Sequence, residues 1–127
     1  MENGQRALIL CDRGTLDGLA YWPGSQRDFL AEFELDFQRE LHRYHAVIHV
    51  EVPALGRGYE KNRIRRESVA QARSIDRRIA RVWRQHPRYM TVGAQAGFLD
   101  KLACAIDLLR QEVPPCCQTH LQAMRTR

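Results

Sequence analysis

Residues 7–14 read Ala-Leu-Ile-Leu-Cys-Asp-Arg-Gly: five uncharged residues, then a carboxylate, a guanidinium and a glycine. So short and continuous an apolar run predicts a strand buried on both faces, as in a parallel sheet. In open α/β sheets ligands bind at the carboxyl ends of the strands, and Asp12 stands at such an end. A carboxylate there can hold Mg2+ directly or through water, or accept a proton from an attacking hydroxyl. Arg13 can then reach a phosphate, and Gly14 lets the backbone turn sharply. The same three residues also suit a capped strand end, with Asp12 bonding the next amides and Arg13 in solvent.

Working outward, Pro23-Gly24-Ser25 is a break. Leu30, Phe33, Phe37, Leu41 and Tyr44, with Asp28, Glu32, Asp36 and Glu40 between them, predict an amphipathic helix. His45–Val52 is a second strand, stopped by Pro53. A glycine-bearing loop, Ala54–Asn62, leads into an arginine-rich helix from about Arg66 to Gln85. Its apolar stripe is Val69, Ala72, Ile75, Ile79 and Val82/Trp83, and Pro87 ends it. Tyr89–Val92 is a short third strand. The last helix carries Leu99, Leu102, Ile106, Leu109 and Val113 on one face. The end of the chain is polar and without a period, and is expected to be loose. Alternating strands and helices predict an α/β fold, a parallel sheet of about three strands with flanking helices.

A chain of 127 residues fits one domain. With 44% hydrophobic and 28% charged residues it matches neither a disordered nor a collagen-like composition. No apolar run approaches the roughly 18–20 residues of a membrane span, and no secretory leader opens the sequence, so a cytoplasmic protein is expected. The net charge is +5, and eighteen of the twenty basic residues are arginine. From Arg57 to Arg88 eleven basic and three acidic residues give +8, so the remainder carries −3. Arginine's fork of donors suits phosphate, which points to a nucleotide or a nucleic acid as partner; a solvated helix face has the same composition.

The four cysteines lack C-x-x-C or zinc spacing. Cys11 and Cys104 fall in apolar runs and are expected to pack as small hydrophobes. Cys116 and Cys117 follow Pro114-Pro115. The five histidines, at 42, 45, 49, 86 and 120, are read as structural or surface residues.

Asp12-Arg13-Gly14-Thr15-Leu16-Asp17-Gly18-Leu19-Ala20-Tyr21-Trp22 resembles the DRG-x-x-D-G-x-A-Y-W segment of the NadR-like AAA family, P-loop proteins built like small nucleotide kinases. Arg43–His49 is similar to that family's second strand and its lead-in. Gly58-Tyr59-Glu60, Asn62 and Arg65–Ser68 resemble its lid region. Ile75–Ile79, Trp83 and His86-Pro87-Arg88 resemble the end of the lid helix, and Phe98–Lys101 the start of the last helix. The resemblance runs from about Ala7 to Cys116, with its motifs in order.

It implies a partial P-loop NTPase fold of nucleotide-kinase type over residues 1–116, followed by a polar tail over 117–127. The implied cofactors are ATP and Mg2+, with Asp12 as the metal carboxylate or general base and Arg13 on the phosphoryl acceptor. Asp17 and Tyr21 would line the acceptor pocket, or be structural. The implied lid arginines are Arg65, Arg66, Arg73 and Arg77, closing over the transferring phosphate. Positions 66, 73 and 77 share a helical face, which Arg81 and Arg84 continue into solvent. The acceptor is left open, as is the choice between kinase and hydrolase.

The chain departs from that family in one large respect. It contains no G-x-x-x-x-G-K-[ST] and no Gly-Lys dipeptide. The motif supplies the amides, lysine and hydroxyl that cradle nucleotide phosphates. The expectation is therefore the C-terminal half of such a domain, inactive and binding ATP poorly on its own. An exposed strand at residues 7–11 would favour self-association. Two readings of other kinds stand beside this one. One is a nucleic-acid module using the arginine helix, against which the aromatics do not interleave with the basic residues and no reader motif occurs. The other is a non-enzymatic interaction protein that completes a partner's sheet.

Overall fold

Local capping chemistry sets the first third of the chain. A computed structural model describes residues 7–52, 63–93 and 97–115, with the side chains of 63–67 left out. Gly14 opens a 3₁₀ helix, Thr15–Ala20. Helix α1, Gln26–Glu32, starts at a capping box: the Ser25 hydroxyl accepts the Asp28 amide at 3.2 Å and Asp28 Oδ2 accepts the Ser25 amide at 3.3 Å.

The single helix expected across residues 30–44 is two helices. Glu34 adopts a left-handed φ of 52°. The Leu35 amide donates to the Leu30 carbonyl at 2.8 Å and the Glu34 amide to Ala31 at 3.3 Å, the paired bonds of a Schellman turn. Asp36 then caps α2, Phe37–His42, by accepting the Arg39 amide at 2.8 Å. An apolar stripe continues through the break because the turn re-aims the second helix at the same core.

Strand β1, Val47–Val50, and strand β2, Tyr89–Val92, pair in parallel, with Val47 opposite Tyr89 and Val50 opposite Val92. The long helix α3, Arg63–Trp83, connects them. Its stripe packs as expected: Val69, Val82 and Trp83 are buried, with Ala72, Ile75 and Ile79 half-buried. Leu16, Leu41, Val82 and Trp83 form the centre of the core, joined by Leu19, Phe37, Tyr44 and Ile79. Helix α4, Phe98–Glu112, packs against both strands. Lys101 Nζ donates to the Glu51 carbonyl at 2.9 Å, and Glu112 accepts from Arg88 and from His45.

Four expectations are corrected here. Among the described residues the sheet has two strands, not three. Ala7–Cys11 lies in no strand, and Ile9 is 81% and Leu10 67% exposed. Apolarity selects a strand only where a neighbour supplies hydrogen bonds and a covering face, and no described residue does so here. The apolar face expected for α4 is likewise open: Val113 is buried, but Leu99 is 75% and Leu102 46% exposed. A two-stranded sheet is too narrow to cover it. Cys11 and Cys104 are therefore exposed thiols rather than core residues. Cys116, Cys117, the tail and the 53–62 loop lie outside the described residues. No helix among the described residues is long and apolar enough to cross a membrane.

Candidate functional site

The turn after Cys11 is shaped by its neighbours rather than by local preference. Arg13 has φ 87°, a region that a side chain with a Cβ rarely occupies. At Gly14 an added Cβ would come within 2.7 Å of Trp83 Cη2, so only glycine lets the turn sit on the indole. Trp83 Nε1 donates to Asp17 Oδ1 at 2.5 Å, and Asp17 Oδ2 accepts the Gly14 amide at 3.2 Å. Tyr44 stacks edge-on against Trp83, its hydroxyl accepting the Thr15 amide at 2.9 Å. The Thr15 hydroxyl donates to buried Glu40 at 2.7 Å, and Arg43 donates to the same carboxylate oxygen at 3.1 Å. The Thr15 hydrogen bond holds the Glu40 carboxyl below its ordinary value against the opposing effect of burial, with Arg43 adding to it. Arg78 Nη1 fixes α3 to the 3₁₀ helix through the Ala20 carbonyl at 3.2 Å.

Between this turn, β1 and α3 lies a cleft of about 490 Å³. Asp12, Arg13, Asp17 and Tyr21 all line it, so the four residues taken from the first motif converge on one concavity. Asp12 and Tyr21 are exposed there, whereas both oxygens of Asp17 are engaged by Trp83 and Gly14. The floor is apolar, with Val47, Ile75 and Ile79.

The far wall holds a hydrogen-bonded chain that sequence reading did not find. His49 is buried on β1; its Nδ1 lies 2.6 Å from the Tyr89 hydroxyl and its Nε2 2.6 Å from Asp76 Oδ1. An ionised carboxylate only accepts, so Nε2 donates to Asp76, and in the neutral imidazole Nδ1 accepts from Tyr89. Burial, then the Glu51 and Asp76 carboxylates, push the Tyr89 phenol above its ordinary value, which keeps it protonated. Asp76 Oδ2 in turn accepts the Val52 amide at the end of β1 at 3.4 Å. The three residues stand on β1, β2 and α3, at sequence separations of 27 and 40. Only the apolar neighbours of His49 in a strand, and Asp76 interrupting an arginine face, hint at them beforehand.

A family model described as an AAA domain matches residues 1–101. The chain belongs to the AAA domain family. No curated protein and no solved structure matches it. An AAA domain is a P-loop NTPase-like unit, and membership suggests nucleotide binding in general.

Of the arginines expected to form the lid of this AAA domain, Arg73 and Arg77 do not line the larger cleft. Arg73 and Arg77 line a second, smaller one of about 290 Å³, together with Glu51 and Ala80. His49, Val52 and Asp76 line both, and so form the partition between them. Arg65 and Arg66 belong to the first turn of α3, with side chains outside the described residues. No group of three His, Cys, Asp or Glu side chains among the described residues is arranged to hold a metal ion. Mg2+ needs no such cage, since it is commonly held by one or two carboxylates, waters and substrate phosphates. Asp12, exposed in the cleft, fits that limited role.

Proposed function

We propose that this AAA domain binds nucleotide phosphate in the larger cleft and serves phosphoryl transfer or ATP hydrolysis of the P-loop kinase type. The observation that carries the reading is the convergence of Asp12, Arg13, Asp17 and Tyr21 on that cleft. Asp12 is the carboxylate for Mg2+ or for the proton of an attacking hydroxyl. Mg2+, when bound, offsets charge on the phosphates. Arg13 offers a planar donor fork to a phosphoryl oxygen, and its left-handed backbone aims it from the turn. Tyr21 borders the acceptor side. Asp17 acts by holding Trp83 and Gly14, which shape the pocket, rather than by touching a ligand. Arg73 and Arg77 approach from the neighbouring cleft and serve as the lid if the ligand reaches past Asp76 or α3 shifts toward it.

Because the sequence has no G-x-x-x-x-G-K-[ST], most of the donors that cradle phosphates in P-loop sites are absent from this chain. Affinity for Mg-ATP on its own is accordingly expected to be weaker than millimolar. The test is a Mg-ATP titration followed by amide and indole NMR shifts. Shifts are expected at Gly14, Asp17, Tyr21 and the Trp83 indole, and they should vanish in Asp12→Asn and Arg13→Ala variants that remain folded. Shifts confined to other surfaces, or unaltered in both variants, would overturn the assignment.

A further inference from the structure

Between residues 68 and 83 of α3, Asp76 is the only acidic side chain, against four arginines. It shares a helix face with Arg73, three residues before it, and with Arg77, and all three line the smaller cleft. A carboxylate and a guanidinium three residues apart on a helix are placed to pair. Glu40 takes Arg43 at 3.1 Å, and Asp107 faces Arg110 at 3.9 Å, both at that spacing. Asp76 does not take Arg73. Its Oδ1 accepts His49 Nε2 at 2.6 Å and its Oδ2 the Val52 amide at 3.4 Å, so both oxygens are engaged by β1 and its end. Among the described residues neither Arg73 nor Arg77 has an ion pair or a hydrogen bond.

His49 is suited to hold the carboxylate there. Its Nε2 can donate to Asp76 whether the ring is neutral or protonated, and the Tyr89 hydroxyl, 2.6 Å from Nδ1, fixes the ring. The imidazole is 8% exposed, so this bond is shielded from water. A pair between Asp76 and Arg73 at the helix surface would be worth little beside it.

We propose that His49 is a positioning residue for the two arginines: by holding Asp76 against β1 it keeps that carboxylate from closing on Arg73, and so leaves the Arg73 and Arg77 guanidiniums open to a polyphosphate. The role rests on the reading of these arginines as the lid of a phosphate site. Two guanidiniums four residues apart on a helix repel each other, and a ligand that carries several phosphate oxygens turns that repulsion into shared attraction. Asp76 paired with Arg73 would remove the attraction and set a negative charge in its place.

Pyrophosphate is the probe, followed by NMR of the arginine Nε–H groups in the full chain. Without ligand, the Arg73 and Arg77 Nε–H protons of the unmodified protein should exchange with solvent as those of an unpaired arginine, and pyrophosphate should shift both. His49→Asn places an amide near the Tyr89 hydroxyl but falls short of Asp76, whereas His49→Gln reaches Asp76 with an amide donor. Both put a neutral polar side chain in the same buried place, so a merely structural role would treat them alike. His49→Asn should slow exchange at Arg73 and weaken pyrophosphate binding about two- to fivefold, the worth of a surface ion pair, and His49→Gln should do neither. Asp76→Asn should raise the affinity more in the His49→Asn protein than in the unmodified one, since only there does the carboxylate compete. Slow exchange at Arg73 or Arg77 in the unmodified protein overturns the proposal with no variant required. Equal weakening by His49→Asn and His49→Gln overturns it, as do equal gains from Asp76→Asn in the two backgrounds. Pyrophosphate that leaves both arginines unshifted overturns it as well, while the cleft that holds Asp12 is judged separately by the Mg-ATP shifts at Gly14 and the Trp83 indole.

Discussion

Trp83 Nε1 donates to Asp17 Oδ1 at 2.5 Å across 66 residues of sequence, and the same carboxylate accepts the Gly14 amide through its other oxygen. One acidic side chain thus clasps the end of the long helix to the turn that bears Asp12 and Arg13.

Gly14→Ala should break the clasp by sterics. The new methyl group would meet the buried Trp83 ring, which must move away from Asp17. A stability loss of about 1–3 kcal/mol is expected from overpacking. Urea unfolding and a red shift of tryptophan fluorescence would report it; a variant with unchanged emission and midpoint would show that the ring yields without cost.

Glu34→Gly should do the reverse. Glu34 holds the left-handed position of the Schellman turn with a Cβ that disfavours it. Glycine there should raise stability by about 0.5–1 kcal/mol, after the extra freedom it adds to the unfolded chain. Thermal unfolding that shows a loss instead would mean that the Glu34 side chain makes a compensating contribution.

His49→Ala should be costly, because it leaves a carboxylate and a phenol without their shared partner. About 1–3 kcal/mol is expected for leaving the two polar groups without their partner. A double cycle with Asp76→Asn should show strong coupling between the two positions. A loss below about 1 kcal/mol would indicate that water replaces the imidazole.

Two carboxylates set the acid limb of stability. Glu40, bonded by Thr15 and Arg43, and Glu112, bonded by Arg88 and His45, both titrate below their ordinary 4.5 in the folded protein. The unfolded chain therefore binds their protons more tightly. Their contribution is whole above about pH 4.5 and is lost as pH falls through the depressed folded values. A Glu40→Gln/Glu112→Gln variant should be less stable at neutral pH and should lose less on acidification to about pH 3. Equally steep acid unfolding of both proteins would assign the limb to other groups.

Elements whose patterns repeat over several turns were legible in advance. The stripe from Val69 to Trp83 foretold α3, and the apolar spacing after residue 98 foretold α4. The convergence of Asp12, Arg13, Asp17 and Tyr21 was legible too, since they stand within ten residues of each other around one turn. Asp17 reads equally as a pocket group or a structural one, and its engagement by Trp83 could not be read from either residue alone. His49 looked like any strand histidine until β2 and α3 brought Tyr89 and Asp76 to its two nitrogens.

By itself the sequence determined the α/β class, a parallel sheet with helices between its strands, and the cluster of polar groups after residue 11. These follow from periodicity and from short-range stereochemistry, which act within a few residues. The tertiary structure decided which apolar surfaces are covered: among the described residues β1 pairs with β2, Ala7–Cys11 lies in no strand, and Leu99 and Leu102 of α4 stay exposed. It also decided which arginines share a cleft with Asp12, because His49, Val52 and Asp76 stand between that cleft and Arg73 and Arg77. Burial depends on what other elements arrive at a surface, and a residue's own neighbours in sequence do not carry that information.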